Sequence, residues 1–341
     1  MKSFLLKSLL YSIPIIVPIV LFTIFINPHL HGDIGLLGYI PFADDYGKYD
    51  LPIDNQVVSC EYNYNNFNDS CILTIGDSFS QGHGYNCFLA NYTNYEVINL
   101  SEQCYTISPF VRFMYISKTR ELPKIVILET VERHMVERLC ELTLSLSIET
   151  MLAKHIIDTT IIVSEKSKNK TLLEKSQEWI KRTIKYGNPI KSSILNKDCF
   201  TCADKENNLY FYEDDVNHLP TSDSLLNLAI IKLNSLYDYA DSLGIELYVL
   251  IAADKYDVYQ EYIVDNPWPK QDVLERLYAM YPHPRIINSK DTLLQMIAND
   301  VMDVYWCNDT HWSPTGSQAV AEQLAKTINR CENDTIFAID Q

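Results

Sequence analysis

One serine and one histidine, far apart in the sequence, stand in settings that predict chemistry. Ser78 lies in the stretch Gly76-Asp77-Ser78-Phe79, directly after the apolar run 71–75. A serine that follows a strand and opens a turn can present its hydroxyl as a nucleophile, with nearby backbone N–H groups facing a developing oxyanion. From this stretch alone, a simple helix cap by Asp77 or Ser78 is the commoner interpretation.

The carboxyl-terminal part of the chain supplies the partners that a serine nucleophile needs. Asp309 and His311 are two residues apart within the stretch 305–316. In an extended or turn segment this spacing puts both side chains on one side, where the carboxylate can hold the ring nitrogen that does not face the serine. A histidine beside a tryptophan is more often structural, but its joint occurrence with Ser78 favours a Ser-His-Asp triad.

Strands and helices alternate along most of the sequence. Apolar runs predict strands at 71–75, 96–100, 125–129 and 246–252. Helical patterns follow at 108–119, at 222–243 before Gly244, and at 317–328. This alternation predicts an α/β fold, a three-layer α/β/α sandwich with a mostly parallel sheet. In such sheets reactive residues gather beyond the carboxyl ends of the strands, which is where Ser78 lies.

The first 27 residues predict a membrane anchor. The run from 8 to 26 has no charged residue and is long enough to span a bilayer. Lys2 and Lys7 precede it, so we expect the amino terminus in the cytoplasm and the rest of the chain across the membrane. A cleaved signal peptide is the alternative, but the long run without a small-x-small site favours an uncleaved helix. The expected location is the inner (cytoplasmic) membrane, single-pass, with the catalytic domain in the periplasm or outside the cell.

The rest of the chain divides by composition. Residues 28–70 are rich in Gly, Pro, Asp, Asn and Tyr and predict a tether and peripheral loop. Residues 71–330 form the predicted catalytic domain, interrupted at about 134–220 by a helical and loop insert. The net charge of -16 argues against a nucleic-acid partner. Nine cysteines fit a non-reducing compartment, and for the pair Cys199 and Cys202 we favour a local disulfide or separate thiols over redox or metal chemistry.

These stretches carry a resemblance to a known family. Gly76-Asp77-Ser78-Phe79 resembles the first block of the SGNH (GDSL-like) hydrolases. The stretch 309–316, with Asp309-Thr310-His311-Trp312, resembles the Asp-x-His motif of their alginate O-acetyltransferase-like branch. The stretches 125–133 and 244–259 are similar to two strands of that branch, one ending in Glu-Arg and one followed by Asp-Lys-x-x-x-Tyr. In the alginate enzymes the Asp-x-His block precedes the serine block, whereas here the serine comes first.

The resemblance implies roles for particular residues. Ser78 would be the acyl-accepting nucleophile, His311 the general acid and base, and Asp309 its orienting partner. No metal and no cofactor are implied. The usual Gly-x-Asn-Asp block is not evident, so the oxyanion and substrate-binding residues stay open. The candidates for these roles are Gly76, Asp77, Arg133 and Asn99, although a surface ion pair with Glu132 or Glu137 is an equal interpretation of Arg133.

Three functions fit these expectations. The first is a membrane-anchored serine O-acetyltransferase that modifies a cell-surface or secreted polysaccharide through an acetyl-enzyme intermediate. Acetyl donors are cytoplasmic, so the resemblance implies a membrane-bound O-acyltransferase as the partner that passes acetyl groups across. The second is a carbohydrate or lipid esterase (deacetylase) with the same triad, in which water is the acceptor. The third is a non-catalytic glycan-binding assembly protein.

Overall fold

A parallel six-stranded sheet lies at the centre of the computed structural model. The structure describes residues 11–14, 16–18, 33–34, 57–59, 70–80, 84–93, 95–100, 108–142, 190–201, 207–217 and 221–339, with backbone only at 57–59 and 331–339. The sheet strands are β1 (Val57–Ser59), β2 (Cys71–Ile75), β3 (Glu96–Asn99), β4 (Ile125–Val131), β7 (Glu246–Ala252) and β8 (Ile286–Asn288), and a separate antiparallel hairpin consists of β5 (Ile190–Ile194) and β6 (Asn208–Tyr212). The sheet order is β1-β3-β2-β4-β7-β8, with every described pair parallel.

The four strands that the apolar runs predict are confirmed. β4 is buried at every position, and β7 is buried at every position except Glu246. This is the pattern of central strands covered on both faces. The strands β1 and β8 were not predicted, because each has only three residues and too little sequence to show a period.

Helices cover the sheet. They are α1 (Tyr85–Tyr92), α2 (Pro109–Thr119), α3 (Glu132–Glu141), α4 (Asp214–Asn217), α5 (Asp223–Ser242), α6 (Lys255–Tyr259), α7 (Val273–Met280), α8 (Ser289–Ala298) and α9 (Pro314–Ile339). The predicted helices at 108–119, 222–243 and 317–328 correspond to α2, α5 and α9. Ser222 caps α5 by accepting a hydrogen bond from the backbone N–H of Leu225. The helix ends before Gly244, whose φ of 72° favours glycine.

The strand order places a crevice at the end of β2. From β2 the chain passes through α1 to β3 on one side, and from β3 it returns through α2 to β4 on the other. Because crossovers between parallel strands are right-handed, α1 and α2 lie on opposite faces of the sheet. The direction of the connections therefore reverses between β2 and β4, and parallel sheets bind ligands beyond the carboxyl ends of the strands at such a point.

Several predicted segments lie largely outside the described residues. Most of the anchor at 1–27 is among them, and in the part that the structure does describe no helix has the length and apolar character to cross a bilayer. Of the tether at 28–70, residues 33–34, 57–59 and 70 are described. The insert at about 134–220 contributes the end of α3, the hairpin β5–β6 and α4.

Two cysteines bear on the predicted disulfides. Cys199 is a free buried thiol, so it forms no local disulfide with Cys202. Cys307 is disulfide-bonded. A disulfide bond is therefore attached to the same loop as Asp309 and His311.

Candidate active site

The serine turn, residues 76–80, follows β2 directly. Ser78 opens a single 3-10 turn, Ser78–Ser80, which a backbone hydrogen bond of 3.2 Å from Ser80 N–H to the Asp77 carbonyl closes. Ser78 is partly exposed, whereas Asp77 and Phe79 on either side are buried. The turn therefore presents Ser78 at the crevice formed by the reversal of the strand connections.

Asp77 ties the serine turn to the neighbouring strand and helix. Its Oδ2 accepts a hydrogen bond of 3.1 Å from the backbone N–H of Val131 and pairs with Arg138 of α3. Its own backbone N–H donates to Glu129 Oε2 at 2.7 Å. In this state both the carboxylate and the N–H of Asp77 face the protein, so the predicted oxyanion candidate is engaged in holding the turn.

Glu129 is a buried carboxyl beneath the serine turn. Besides the N–H of Asp77, its Oε2 accepts a hydrogen bond of 2.8 Å from Ser80 Oγ. Burial, and then the charge of Asp77, raises the pKa of Glu129 to about 8, so it is protonated at neutral pH. A side chain at Gly76 would collide with this arrangement, because a Cβ there would lie 2.1 Å from Ser80 Oγ and 2.5 Å from Glu129 Oε2. Gly76 therefore provides the space in which the turn meets β4.

Asn99 supports the turn at the end of β3. Its amide nitrogen donates to the backbone carbonyl of Ser80, and its Oδ1 accepts a hydrogen bond of 3.1 Å from Thr74. Asn86 donates to the same Ser80 carbonyl at 2.9 Å. In this state the Asn99 amide, another predicted oxyanion candidate, is directed at the backbone of the turn.

The histidine loop, residues 303–313, is a compact loop that precedes α9. Tyr305 and Trp312 form an isolated antiparallel bridge, and Trp306 N–H donates to the His311 carbonyl at 3.2 Å. These contacts fold the loop back on itself. Asp309 and His311 lie in the closed part of the loop, where their side chains meet.

Asp309 holds one nitrogen of the His311 ring. His311 Nδ1 lies 2.5 Å from Asp309 Oδ1, which also accepts a hydrogen bond of 2.9 Å from the His311 backbone N–H. Burial opposes ionisation of Asp309, but its hydrogen bonds and the charge of His311 lower its pKa to about 2. Burial also lowers the pKa of His311, but Asp309 and Asp33 outweigh it and the net shift is upward. The other ring nitrogen, Nε2, is buried and has no hydrogen-bond partner among the described residues, so it is available to take a proton.

Phe79 joins the serine turn to the histidine loop. Its ring centroid lies 4.8 Å from that of His311 and 4.7 Å from that of Trp312, the latter in an edge-on contact. Since Phe79 follows Ser78 in the chain, this packing brings the predicted nucleophile and base to neighbouring positions. Within the described chain Ser78 makes no hydrogen bond to His311 Nε2, and such contacts are often long before a substrate binds.

Lys255, the first residue of α6, binds the backbone of the histidine loop. Its fully buried ammonium donates to the carbonyls of Trp306 at 2.7 Å, Cys307 at 2.9 Å and Asp309 at 3.2 Å. Burial lowers the pKa of Lys255 to about 7, although the charges of Asp309 and Asp33 oppose that shift. The sequence shows Asp254 and Lys255 just after β7. It does not show that the lysine side chain binds the backbone of the histidine loop.

Asp33 is a residue of the site that the sequence analysis missed. Its Oδ1 accepts a hydrogen bond of 2.8 Å from Thr310 N–H, and its backbone N–H donates to Asp309 Oδ2 at 3.1 Å. The Tyr212 hydroxyl of β6 donates to Asp33 Oδ2 at 2.9 Å. Burial, and then the charge of Asp309, raises the pKa of Asp33 to about 6. Asp33 lies 276 residues before Asp309, so no local pattern could have pointed to it.

Arg133 lies beside Tyr212. Its guanidinium pairs with Asp254 and, at 3.4 Å, with Asp215, both of them buried. The guanidinium carbon is 5.6 Å from the centre of the Tyr212 ring, within cation–π range. Arg133 also lines a pocket with other polar residues, among them Thr221, Lys270 and Gln271.

Asp33, Asp309 and His311 are a candidate set of metal ligands, because the oxygen and nitrogen atoms that could bind an ion lie within 4.8 Å of one another. Their oxygens already accept N–H and O–H hydrogen bonds: Asp33 from Thr310 and Tyr212, and Asp309 from His311 and Asp33. An ion here would have to displace several of these donors. The cluster is therefore best described as a hydrogen-bonded network around the imidazole.

One comparison with known proteins finds a similarity over part of the chain. Residues 210–336 match the SGNH hydrolase-like domain of the acetyltransferase AlgX. The match confirms the resemblance to the alginate O-acetyltransferase-like branch for that region. The match contains Lys255, Asp309 and His311, whereas Ser78 and Asp33 lie outside it.

Two other comparisons add no argument. No curated protein matches the chain. A solved crystal structure aligns at 10% sequence identity over 77% of this chain and 97% of that chain, with a TM-score of 0.33. That score is too low to support a conclusion about fold or function.

Proposed function

We propose that this chain is a membrane-anchored serine O-acetyltransferase that acts on a cell-surface or secreted polysaccharide. The match of residues 210–336 to an acetyltransferase domain supports acetyl transfer in general. The observation that carries the proposal is the setting of His311. Asp309 holds Nδ1 of its ring, Nε2 has no partner among the described side chains, and the ring packs on Phe79, next to Ser78.

The first half-reaction acylates the serine. Ser78 Oγ attacks the carbonyl carbon of an acetyl donor while His311 Nε2 takes the hydroxyl proton. The ionised Asp309 stabilises the imidazolium that forms. When the tetrahedral intermediate collapses, the bond to the donor's leaving group breaks, His311 returns the proton to that group, and acetyl-Ser78 remains. Since Asp77 N–H and the Asn99 amide already have partners, the backbone N–H of Ser78 is the preferred oxyanion donor.

The second half-reaction transfers the acetyl group. A sugar hydroxyl attacks the carbonyl carbon of acetyl-Ser78, and His311 removes its proton. The bond to Ser78 Oγ breaks, the serine recovers the proton from His311, and an O-acetyl sugar leaves. The same steps with water would release acetate, so the triad alone does not separate a transferase from an esterase. We propose that the polysaccharide lies in the crevice beside Arg133 and that its binding there favours the sugar hydroxyl over water.

The proposal includes a location and a partner. The anchor at 1–27 would hold the chain in the inner membrane, with the catalytic domain in the periplasm or outside the cell. A membrane-bound O-acyltransferase would supply acetyl groups from the cytoplasmic side. The reaction needs neither a metal nor a cofactor, because the serine carries the acetyl group and the histidine carries the proton.

The test uses the full chain in detergent with a chromogenic acetyl ester, with and without a sugar oligomer. Intact-mass measurement should show an acetyl adduct that Ser78→Ala abolishes and that the matched control Ser242→Ala, on the exposed end of α5, retains. Movement of the acetyl group to the oligomer would support the transferase, and release of acetate alone would support the esterase. A folded protein with neither adduct nor turnover would overturn both and favour the glycan-binding protein.

A further inference from the structure

Asp33 connects the region next to the predicted anchor with the histidine loop. Its sequence position is only a few residues after the apolar run that ends at 26. Three hydrogen bonds bring it to the site: from Thr310 N–H to its Oδ1, from its own N–H to Asp309 Oδ2, and from the Tyr212 hydroxyl to its Oδ2. A residue close in sequence to the predicted anchor therefore contributes directly to the surroundings of His311.

These hydrogen bonds restrict the residues on either side of the imidazole. Asp309 uses Oδ1 for His311 and Oδ2 for the Asp33 backbone N–H, so both of its oxygens are fixed. The backbone at Thr310, between Asp309 and His311, is held by the Asp33 carboxylate. Without Asp33, the Asp309 carboxylate could rotate and the backbone that carries His311 would lose an anchoring point.

Asp33 also places a second acidic group beside the histidine. Its Oδ2 lies 3.7 Å from His311 Nδ1, just beyond Asp309. Among the described residues, the other titratable and charged groups that face this cluster are the hydroxyl of Tyr212, the ammonium of Lys255 and the guanidinium of Arg133. When His311 takes the proton of Ser78, its positive charge would form next to two carboxylates instead of one.

We propose that Asp33 is a positioning residue of the active site, supplied by the membrane-proximal segment, which orients Asp309 and stabilises the protonated form of His311. Its role in turnover rests on the proposed function, whereas its effect on the histidine can be measured without turnover. The hydrogen bonds around His311 are complete only when Asp33 is docked on the histidine loop. Hydrogen bonding by Tyr212 links that docking to the hairpin β5–β6.

The first measurement follows the titration of His311 by NMR in the full chain in detergent. Asp33→Asn keeps the size of the side chain but removes its charge, so the pKa of His311 should fall by about one unit. Tyr212→Phe removes only the donor to Asp33, which disfavours the ionised carboxylate, so the fall should have the same direction and be smaller. The matched control is Asp238→Asn on the exposed face of α5, and it should leave the pKa unchanged.

The second measurement is steady-state kinetics with the acetyl ester. Asp33→Asn should lower kcat roughly tenfold with little change in KM, because the negative charge that stabilises the protonated general base is lost while the Asp33 backbone contact to Asp309 stays. The acid limb of the pH profile should move to lower pH, in line with the lower pKa of His311. Asp33→Glu should recover part of kcat, since it restores the negative charge, and Asp238→Asn should behave as wild type.

The outcomes separate this inference from the proposed function. An unchanged His311 pKa in both Asp33→Asn and Tyr212→Phe would overturn the role of Asp33, whether or not the protein has activity. A shifted pKa in a protein that never forms acetyl-Ser78 would support the contact and refute the proposed function. If Asp33→Asn does not fold, Tyr212→Phe decides, because it leaves the Asp33 backbone and its N–H contact in place.

Discussion

The serine turn and the histidine loop are held in different ways. The serine turn is fixed by neighbours in the sheet: Glu129 and Val131 of β4 and Asn99 of β3 all bind it within the core. The histidine loop is fixed by side chains from distant parts of the chain, namely Lys255 from the start of α6 and Asp33 from the amino-terminal region. The turn that carries the nucleophile is thus held by the sheet itself, whereas the loop that carries the base packs Tyr305 and Trp312 into the core but also depends on these distant side chains.

This difference predicts which property each region controls. A change under the serine turn disturbs buried groups that form together with β2 and β4, so it should lower the free energy of unfolding. A change in the contacts of the histidine loop alters the orientation of a partly exposed imidazole, so it should lower turnover while the core stays intact. Stability and activity should therefore separate between the two regions.

The largest effect is expected for Asp309→Asn. The amide cannot supply the negative charge that balances the imidazolium, and it favours the wrong tautomer of His311, so kcat should fall by roughly 10⁴-fold. The free energy of unfolding, measured by chemical denaturation, should fall by about 2 kcal/mol, because folding lowers the pKa of Asp309 to about 2, and this loss is smaller than that expected for Gly76→Ala. A variant that unfolds easily would contradict the separation, since it would make the histidine loop part of the stabilising core.

Gly76→Ala should have the largest effect on stability. Its Cβ would lie 2.1 Å from Ser80 Oγ and 2.5 Å from Glu129 Oε2, so the turn and β4 must move apart. We expect a loss of about 3 kcal/mol in the free energy of unfolding, typical of overpacking a core. Gly244→Ala is the matched control: there a Cβ meets nothing within 4 Å but the φ is 72°, so only about 1 kcal/mol should be lost. Equal losses would show that the serine turn can relax.

The smallest effect, counted per pH unit, is expected for the pH dependence of stability that Glu129 contributes. The pKa of Glu129 is about 8 in the folded protein against an ordinary value of 4.5, so between these pH values the folded state binds more protons than the unfolded state. Stability should therefore fall as pH rises through this window, by about 1 kcal/mol per pH unit from this group. Glu129→Gln mimics the protonated form and should flatten the slope. An unchanged slope would mean that Glu129 ionises normally.

The sequence predicts the parts of the molecule that depend on neighbouring residues. The apolar runs predict β2, β3, β4 and β7 because a buried parallel strand needs a continuous apolar sequence. Ser78 falls at the end of β2 for the same reason. The contact between Asp309 and His311 is likewise local, since the two residues are only two positions apart in the chain.

Contacts between distant segments could not be predicted. Asp33, in a stretch rich in polar and glycine residues, looks like part of a tether, and its role emerges only when the fold brings it to Thr310, 277 residues later. Lys255 reaches the histidine loop, and Tyr212 reaches Asp33, through similar tertiary contacts. Asp77 and Asn99 show the reverse case: their positions in the sequence suggested the oxyanion site, but burial directs their hydrogen bonds into the protein.

The strand β1 has a practical consequence for producing this protein. Val57–Ser59 pairs in parallel with Val97, Ile98 and Asn99, so β1 covers the outer edge of β3. A recombinant fragment that begins at residue 70, just before the apolar run of β2, would lack β1. The backbone N–H and C=O groups along the outer edge of β3 would then have no partner strand, next to the apolar side chains of Val97 and Ile98. Bare edges of this kind pair with other copies of the same chain. Such a fragment should aggregate in concentrated solution, whereas a fragment that begins before residue 57 should stay dispersed.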